Sequence, residues 1–170
     1  MNVLVLIIAV LLITLGLCWV LKLPYALAAV IALIHDVLIT VGVFVVLDKE
    51  FTLEILAALL TIAGYSLNDT IVVFDRIREN LKKERRQPFI ELINSSINQT
   101  LSRTILTGGT TVFALVFLYL FGGTVIQDFA LAMLIGIVTG TYSSVFIASP
   151  LLILYEDWTR VKRAPARKAA

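Results

Sequence analysis

The chain has 170 residues, 59% of them hydrophobic and 15% charged, with 14 Lys and Arg against 12 Asp and Glu for a net charge of +2. A mean hydropathy of +0.97 is well above what a soluble domain needs to fill one core, and so small a net charge, its basic residues in blocks, argues against nucleic-acid binding. A single cysteine, Cys18, and a single histidine, His35, exclude an internal disulfide, a thiolate cage and a two-histidine metal set.

A membrane helix needs about 20 mostly apolar residues, and five runs of that length stand between polar breaks. The first covers about residues 3–21, has no basic leader and is too long for a signal-peptide core, so it reads as a retained span. The second, about 24–47, is apolar except for "HD" at its middle and stops at the charged turn "DKE". The third runs from about 52 to 74 and leads into the basic connection "DRIRENLKKERRQP". In the next stretch Phe89, Ile90, Ile93, Ile97 and Leu101 recur at helical spacing, which predicts an amphipathic helix along the membrane face. The fourth and fifth spans are about 103–122 and 128–155, and residues 159–170 form a basic tail.

The expected fold is therefore an all-α, polytopic bundle of five transmembrane helices with an amphipathic helix on the cytoplasmic face, the membrane domain occupying residues 1–158. Lys22, the block from Arg76 to Arg86 and the tail from Arg160 to Lys168 fall on one side, while "DKE" and "GGTVIQD" fall on the other. Cytoplasmic loops keep positive charge, so the N-terminus is expected outside and the C-terminus in the cytoplasm.

An ionised side chain inside hydrocarbon costs about 2.5–3.5 kcal/mol on insertion scales and usually faces the bundle interior. His35 and Asp36 fall near the middle of the second span, Asp69 lies toward the cytoplasmic end of the third, and Arg103 opens the fourth from the same side. Tyr65, Asn68 and Asp69 share one helix face; Arg103, Thr107, Thr110 and Thr111 form a second polar stripe. If the stripes face each other, a carboxylate, a guanidinium and hydroxyls hold a proton relay in which protonation of Asp69 weakens its attraction to Arg103. Two plainer readings also fit: a fixed interhelical salt bridge, or an Arg103 that snorkels to the surface. His35 and Asp36 read equally well as a packed hydrogen-bonding pair or as part of a relay. Gly136, Gly140 and Ser144 repeat every four residues, a small-residue pattern that lets helices approach closely; Gly108 and Gly109 offer the same in the fourth span, and Pro150 is expected to bend the fifth. An intramembrane aspartyl protease built on Asp36 and Asp69 ranks low, because no GxGD-type stretch is present.

Four stretches, "IHDVLITVGVF", "TIAGYSLNDTIVVFDRIREN", "NQTLSRTILTGGTT" and "GIVTGTYSSVFIASP", closely resemble the SecF protein-export membrane proteins of the SecD/SecF family, within the RND superfamily. The likeness covers about residues 5–158. It implies an RND-type transmembrane domain in a multi-pass subunit of the bacterial or archaeal-type inner membrane. That subunit would be non-enzymatic and without cofactor or metal. It would act with SecD beside the SecYEG channel and use the proton-motive force to promote the export of preproteins. Asp69, in "SLND", and Arg103, in "LSRT", match the family's essential intramembrane aspartate and arginine; Asn68, His35 and Asp36 are weaker proton-pathway candidates. A full family member starts with a further helix and a periplasmic domain, so the chain is expected to be a fragment or a truncated form. The alternative to proton-driven transport is a scaffold that stabilises the translocon without conducting protons.

Overall fold

The computed structural model describes residues 21–83 and 87–163, together with the backbone position of Gly16; the side chains described end at Thr159. All regular structure among the described residues is helical. Helix α1 is Leu23–Val46, α2 is Leu53–Lys83, α3 is Phe89–Phe121 and α4 is Gly123–Ser143; a π-helical turn, Ser144–Ala148, leads directly into α5, Ser149–Arg163. Four helices are long and apolar enough to cross a membrane, the last being the continuous run Gly123–Thr159. The first expected span, 3–21, and most of the basic tail lie outside the described residues.

Each end of α1 has a local cause. Pro24 sits in the first turn, where its missing N–H costs no helical bond, and Lys22 precedes it in extended conformation. At the other end Asp48 takes a left-handed φ of 52°, its N–H reaching the Val45 carbonyl at 3.2 Å and the Lys49 N–H reaching Phe44 at 3.0 Å. That pair of bonds is the Schellman arrangement, with Asp in the place glycine most often fills.

Three boundaries differ from those expected. The segment after Phe74 is not a loose connection: α2 continues through it to Lys83, so that its 31 residues reach about 46 Å, well beyond the ~30 Å hydrocarbon core. Charge does not break a helix, and Glu79 is held by both Arg76 and Lys83 one turn away on either side. The expected amphipathic helix is likewise no separate element but the first part of α3. Nothing between Pro88 and Gly122 interrupts the backbone ladder, and Leu92 and Ile93 are buried against α1, α2 and α5 rather than laid on lipid. The turn before the last span shrinks from "GGTVIQD" to Gly122–Gly123, with Gly123 at φ 77°; only glycine adopts that angle freely, and it lets α4 start at once.

The bundle holds two apolar clusters with a polar layer between. Tyr25, Ala29, Phe74, Ile77, Leu92 and Leu152 belong to the cluster at the Lys22 end. Phe44, Ile55, Ile62, Leu115 and Ile137 belong to the cluster at the Lys49 end, where Lys49 Nζ bonds Asp128 Oδ1 at 2.8 Å and ties the α1–α2 turn to the start of α4. The small-residue repeat packs α4 on α2 as its spacing predicts: a Cβ on Gly136 would collide with Ile62, and one on Gly140 would stand 3.1 Å from the Ser66 Cβ. A Cβ on Gly108 would stand 3.4 Å from the Thr141 hydroxyl, whereas Gly109 has open space beside it.

Candidate functional site

Between the two clusters lie Asp36, Thr40, Ser66, Asp69, Thr104, Ser143 and Ser144, all buried. A layer of this composition in a membrane-spanning bundle has to satisfy itself, since hydrocarbon offers no hydrogen bonds. Its two carboxylates, on α1 and α2, organise it.

Asp36 is completely buried. Its Oδ2 accepts hydrogen bonds from the Ser66 hydroxyl of α2 at 2.5 Å and from the Ser143 hydroxyl of α4 at 2.8 Å. Its Oδ1 lies 3.1 Å from His35 Nδ1. Three helices therefore meet on one carboxyl group. The close approach at Gly140 makes this possible, because a Cβ there would come within 3.5 Å of Asp36 Oδ2. His35 itself lies at the edge of the site, its side chain about one-third exposed.

Asp69 is 8% exposed. It accepts from the Thr104 hydroxyl of α3 at 3.0 Å and from Ser144 of the π turn at 3.3 Å. The expected salt bridge with Arg103 is absent: Arg103 is exposed and acts on Asp69 through its field alone. The reason is one helical residue. A step along an α-helix turns the side chain by about 100°, so with Thr104 directed at Asp69, Arg103 points out of the bundle. The rest of its stripe points away too, and Thr107, Thr110 and Thr111 return their hydroxyl protons to carbonyls one turn back on α3. Asn68, expected on the Asp69 face, is exposed as well. Arg103 instead lines a cleft of about 640 Å³ together with Asp75, Arg76, Glu79 and Gln99.

Comparison with known proteins gives this layer its context. The sequence profile described as protein export membrane protein SecD/SecF, C-terminal, matches residues 1–158. The chain belongs to the SecD/SecF family. It is similar to the protein translocase subunit SecF of Koribacter versatilis, 53% identical over 137 residues that make up 81% of this chain and 34% of the relative. The SecF of Desulfurispirillum indicum is 56% identical over 140 residues, 81% of this chain and 45% of that one. The chain thus spans between about a third and a half of the length of these relatives. Among solved structures, SecDF in its super-membrane-facing form matches with a TM-score of 0.89 and 44% identity over 94% of this chain and 22% of that one. A SecDF from Thermus thermophilus, described as a translocon-associated membrane protein, matches at 0.82 with 46% identity, over 85% of this chain and 20% of that one.

Sequence reasoning placed both carboxylates in the interior and missed most of their partners. Ser66, Thr104 and Ser143 are the omissions, and Ser144 had been read only as a packing residue. One signal was available: Ser66 stands three residues before Asp69, and the "SS" doublet follows Gly140 by three, placing hydroxyls one turn from groups already under suspicion.

Proposed function

We propose that this chain is the membrane part of a SecF-type translocase subunit that uses the proton-motive force to promote protein export, with Asp69 as the group that takes up the proton. The observation that carries this is the identity of the groups bonded to Asp69. Thr104 and Ser144 are hydroxyls, and a hydroxyl both donates and accepts. The same two partners therefore serve the ionised carboxylate and the protonated acid, whereas a directly bonded arginine, a donor only, would favour the ionised form and offer nothing to the acid's proton. A site so lined suits a group that changes protonation state better than a fixed ion pair does.

Arg103 and Asn68 complete the reading. Both are exposed on the bundle surface near the depth of the polar layer, where lipid contact is costly for a charge. A second protein covering α2 and α3 removes that cost, and SecD, whose name the solved relatives carry jointly with SecF, is the partner we assign. With that cover Arg103 sits at a dry interface beside Asp69, and its charge sets how readily the proton is held. Lys22, Arg76, Arg78, Lys82 and Lys83 gather at the end away from the Lys49–Asp128 bridge, which supports a cytoplasmic location for that end in the inner membrane. The remaining partners in this reading are the SecYEG channel and the preprotein that it passes.

The test is co-purification of the chain with SecD and the channel, followed by export measured with and without a pH gradient. Asp69→Asn is expected to assemble normally and lose the gradient-dependent part, and Arg103→Gln to reduce it. Gradient-driven export that survives Asp69→Asn would leave the scaffold reading in its place.

A further inference from the structure

The two buried carboxylates are held by consecutive residues. Ser143 bonds Asp36 at 2.8 Å and Ser144 bonds Asp69 at 3.3 Å. Neighbouring side chains on a helix diverge by about 100°, which here aims one serine at the α1–α2 seam and the other at the α2–α3 seam. The pair sits where the backbone changes from α to π, and the π turn runs Ser144–Ala148. Such turns are rare and recur at functional positions, because they hold one residue more than the α-helix would. Here Ser149 Oγ donates to the Ser144 carbonyl at 3.0 Å across the turn, and Pro150, next in sequence, has no N–H with which to continue the ordinary ladder.

We propose that Ser143 and Ser144 are positioning residues that link Asp36 to Asp69 through the π turn, so that a proton taken up by Asp69 changes the hydrogen bonding of Asp36. The proposal rests on the reading of Asp69 as the proton acceptor. Each serine hydroxyl has a single proton and two acceptors in reach: Ser143 has Asp36 Oδ2 and the Gly140 carbonyl, at 2.8 and 3.2 Å, and Ser144 has Asp69 Oδ2 and the Thr141 carbonyl, at 3.3 and 3.0 Å. An ionised carboxylate is the stronger acceptor and draws the serine proton toward itself. Once Asp69 is protonated it becomes a donor, and the Ser144 proton turns to Thr141. The added proton stays on Asp69; what passes along the link is the orientation of hydroxyls and the pull on the backbone that they exert.

The π turn is the two-state element that such coupling requires. With Ser144 held by Asp69, the extra residue stays in the wide turn. With Ser144 released, the segment is free to tighten toward α geometry, which rotates Ser143 relative to α1 and disturbs its bond to Asp36. The titratable and charged groups that face the two carboxylates, among the described residues, are His35 beside Asp36 and Arg103 through its field on Asp69. The other groups against them, Ser66 from α2 and Thr104 from α3, are neutral.

The link is read directly by infrared difference spectroscopy of the full chain in lipid bilayers with carboxyl-labelled aspartate. Asp36→Asn and Asp69→Asn each assign one carboxyl vibration. The Asp36 vibration is expected to shift when Asp69 titrates in the unmodified chain. In Ser144→Ala it should stay still while Asp69 continues to titrate, and in Ser144→Thr, which keeps the hydroxyl, the shift should return. Deleting Val145, which removes the extra residue of the turn, should also abolish it. Because Ser144→Thr is judged by recovery of a signal, loss of fold in the alanine variant does not remove the test. An Asp69 that titrates while Asp36 stays still in the unmodified chain overturns the link alone, as does an undiminished shift in Ser144→Ala. An Asp69 vibration that never titrates overturns the reading of Asp69 as the proton acceptor and the link with it.

Discussion

Asp36 and Asp69 occupy the same polar layer and look alike in sequence, each a lone carboxylate in an apolar run, yet the bundle treats them differently. Asp36 is sealed: it has no exposed surface, and groups from three helices converge on it. Asp69 retains a little exposure, bonds two hydroxyls and lies next to α3, the spanning helix with the smallest buried share. The first arrangement suits holding helices together. The second, open toward a surface that carries Arg103, suits exchanging a proton.

The largest separation between the two is expected in transport. Asp69→Asn should eliminate the gradient-driven component of export. Asp36→Asn, which keeps an oxygen for both serines to bond, should leave a measurable part of it. Equal loss in both variants would erase the functional distinction and make the two carboxylates a single site.

Stability should order them the other way. Asp36→Leu removes the acceptor of Ser66, whose bond to Asp36 is its one hydrogen bond among the described residues, and a buried hydroxyl left unpaired costs about 1–3 kcal/mol. Asp69→Leu leaves the Thr104 hydroxyl unpaired in the same way but should cost less, because two groups rather than three lose their partner there and Asp69, unlike Asp36, is not completely buried. Thermal unfolding of both variants in the same detergent or bilayer checks the order, and a lower midpoint for Asp69→Leu would contradict the view of Asp36 as the structural member.

How much of this was readable beforehand follows from the same two residues. Length and hydropathy bring out the helices, and the cost of charge in hydrocarbon brings out Asp36 and Asp69, because both are properties of residues taken singly. Which side chain meets Asp69 across the helix gap is a property of helix rotation. An error of one residue exchanges Thr104 for Arg103, and no spacing rule along one helix fixes the rotation of its neighbour. Ser66, Ser143 and Ser144 were hidden for another reason: serine is common in membrane helices as a small packing residue, and its hydroxyl shows its role only once an acceptor lies within reach. The π turn was invisible too, with only Pro150 to mark that the ladder would be disturbed.

A finer probe of the sealed site is Gly140→Ala. The new methyl carbon would stand 3.1 Å from the Ser66 Cβ and 3.5 Å from Asp36 Oδ2, so α2 or α4 has to give by a few tenths of an ångström, at a cost of about 1 kcal/mol, the low end for overpacking. The Asp36 vibration should change directly, and the Asp69 vibration should follow by a smaller shift through Ser143 and Ser144; an Asp69 vibration that stays as it was while Asp36 moves would argue against the link between them.

The smallest effect supplies the control. Lys49 and Asp128 bridge the far end of the bundle at 2.8 Å, remote from both carboxylates, and the hydrogen bond to Asp128, reinforced by its charge, raises the Lys49 pKa above the ordinary lysine value. A raised folded-state pKa means that the contribution is fully present below the unfolded lysine pKa and is lost as pH rises through the folded one. Lys49→Ala should therefore lower the unfolding midpoint slightly at neutral pH, less so in high salt, and the difference from the unmodified chain should vanish in strongly alkaline solution. Because the bridge shares no partner with the polar layer, its effect should add to that of Asp36→Leu and of Asp69→Leu alike. If it adds to one and not the other, the α1–α2 turn is mechanically tied to that carboxylate, and the two sites differ in what they are connected to as well as in how they are sealed.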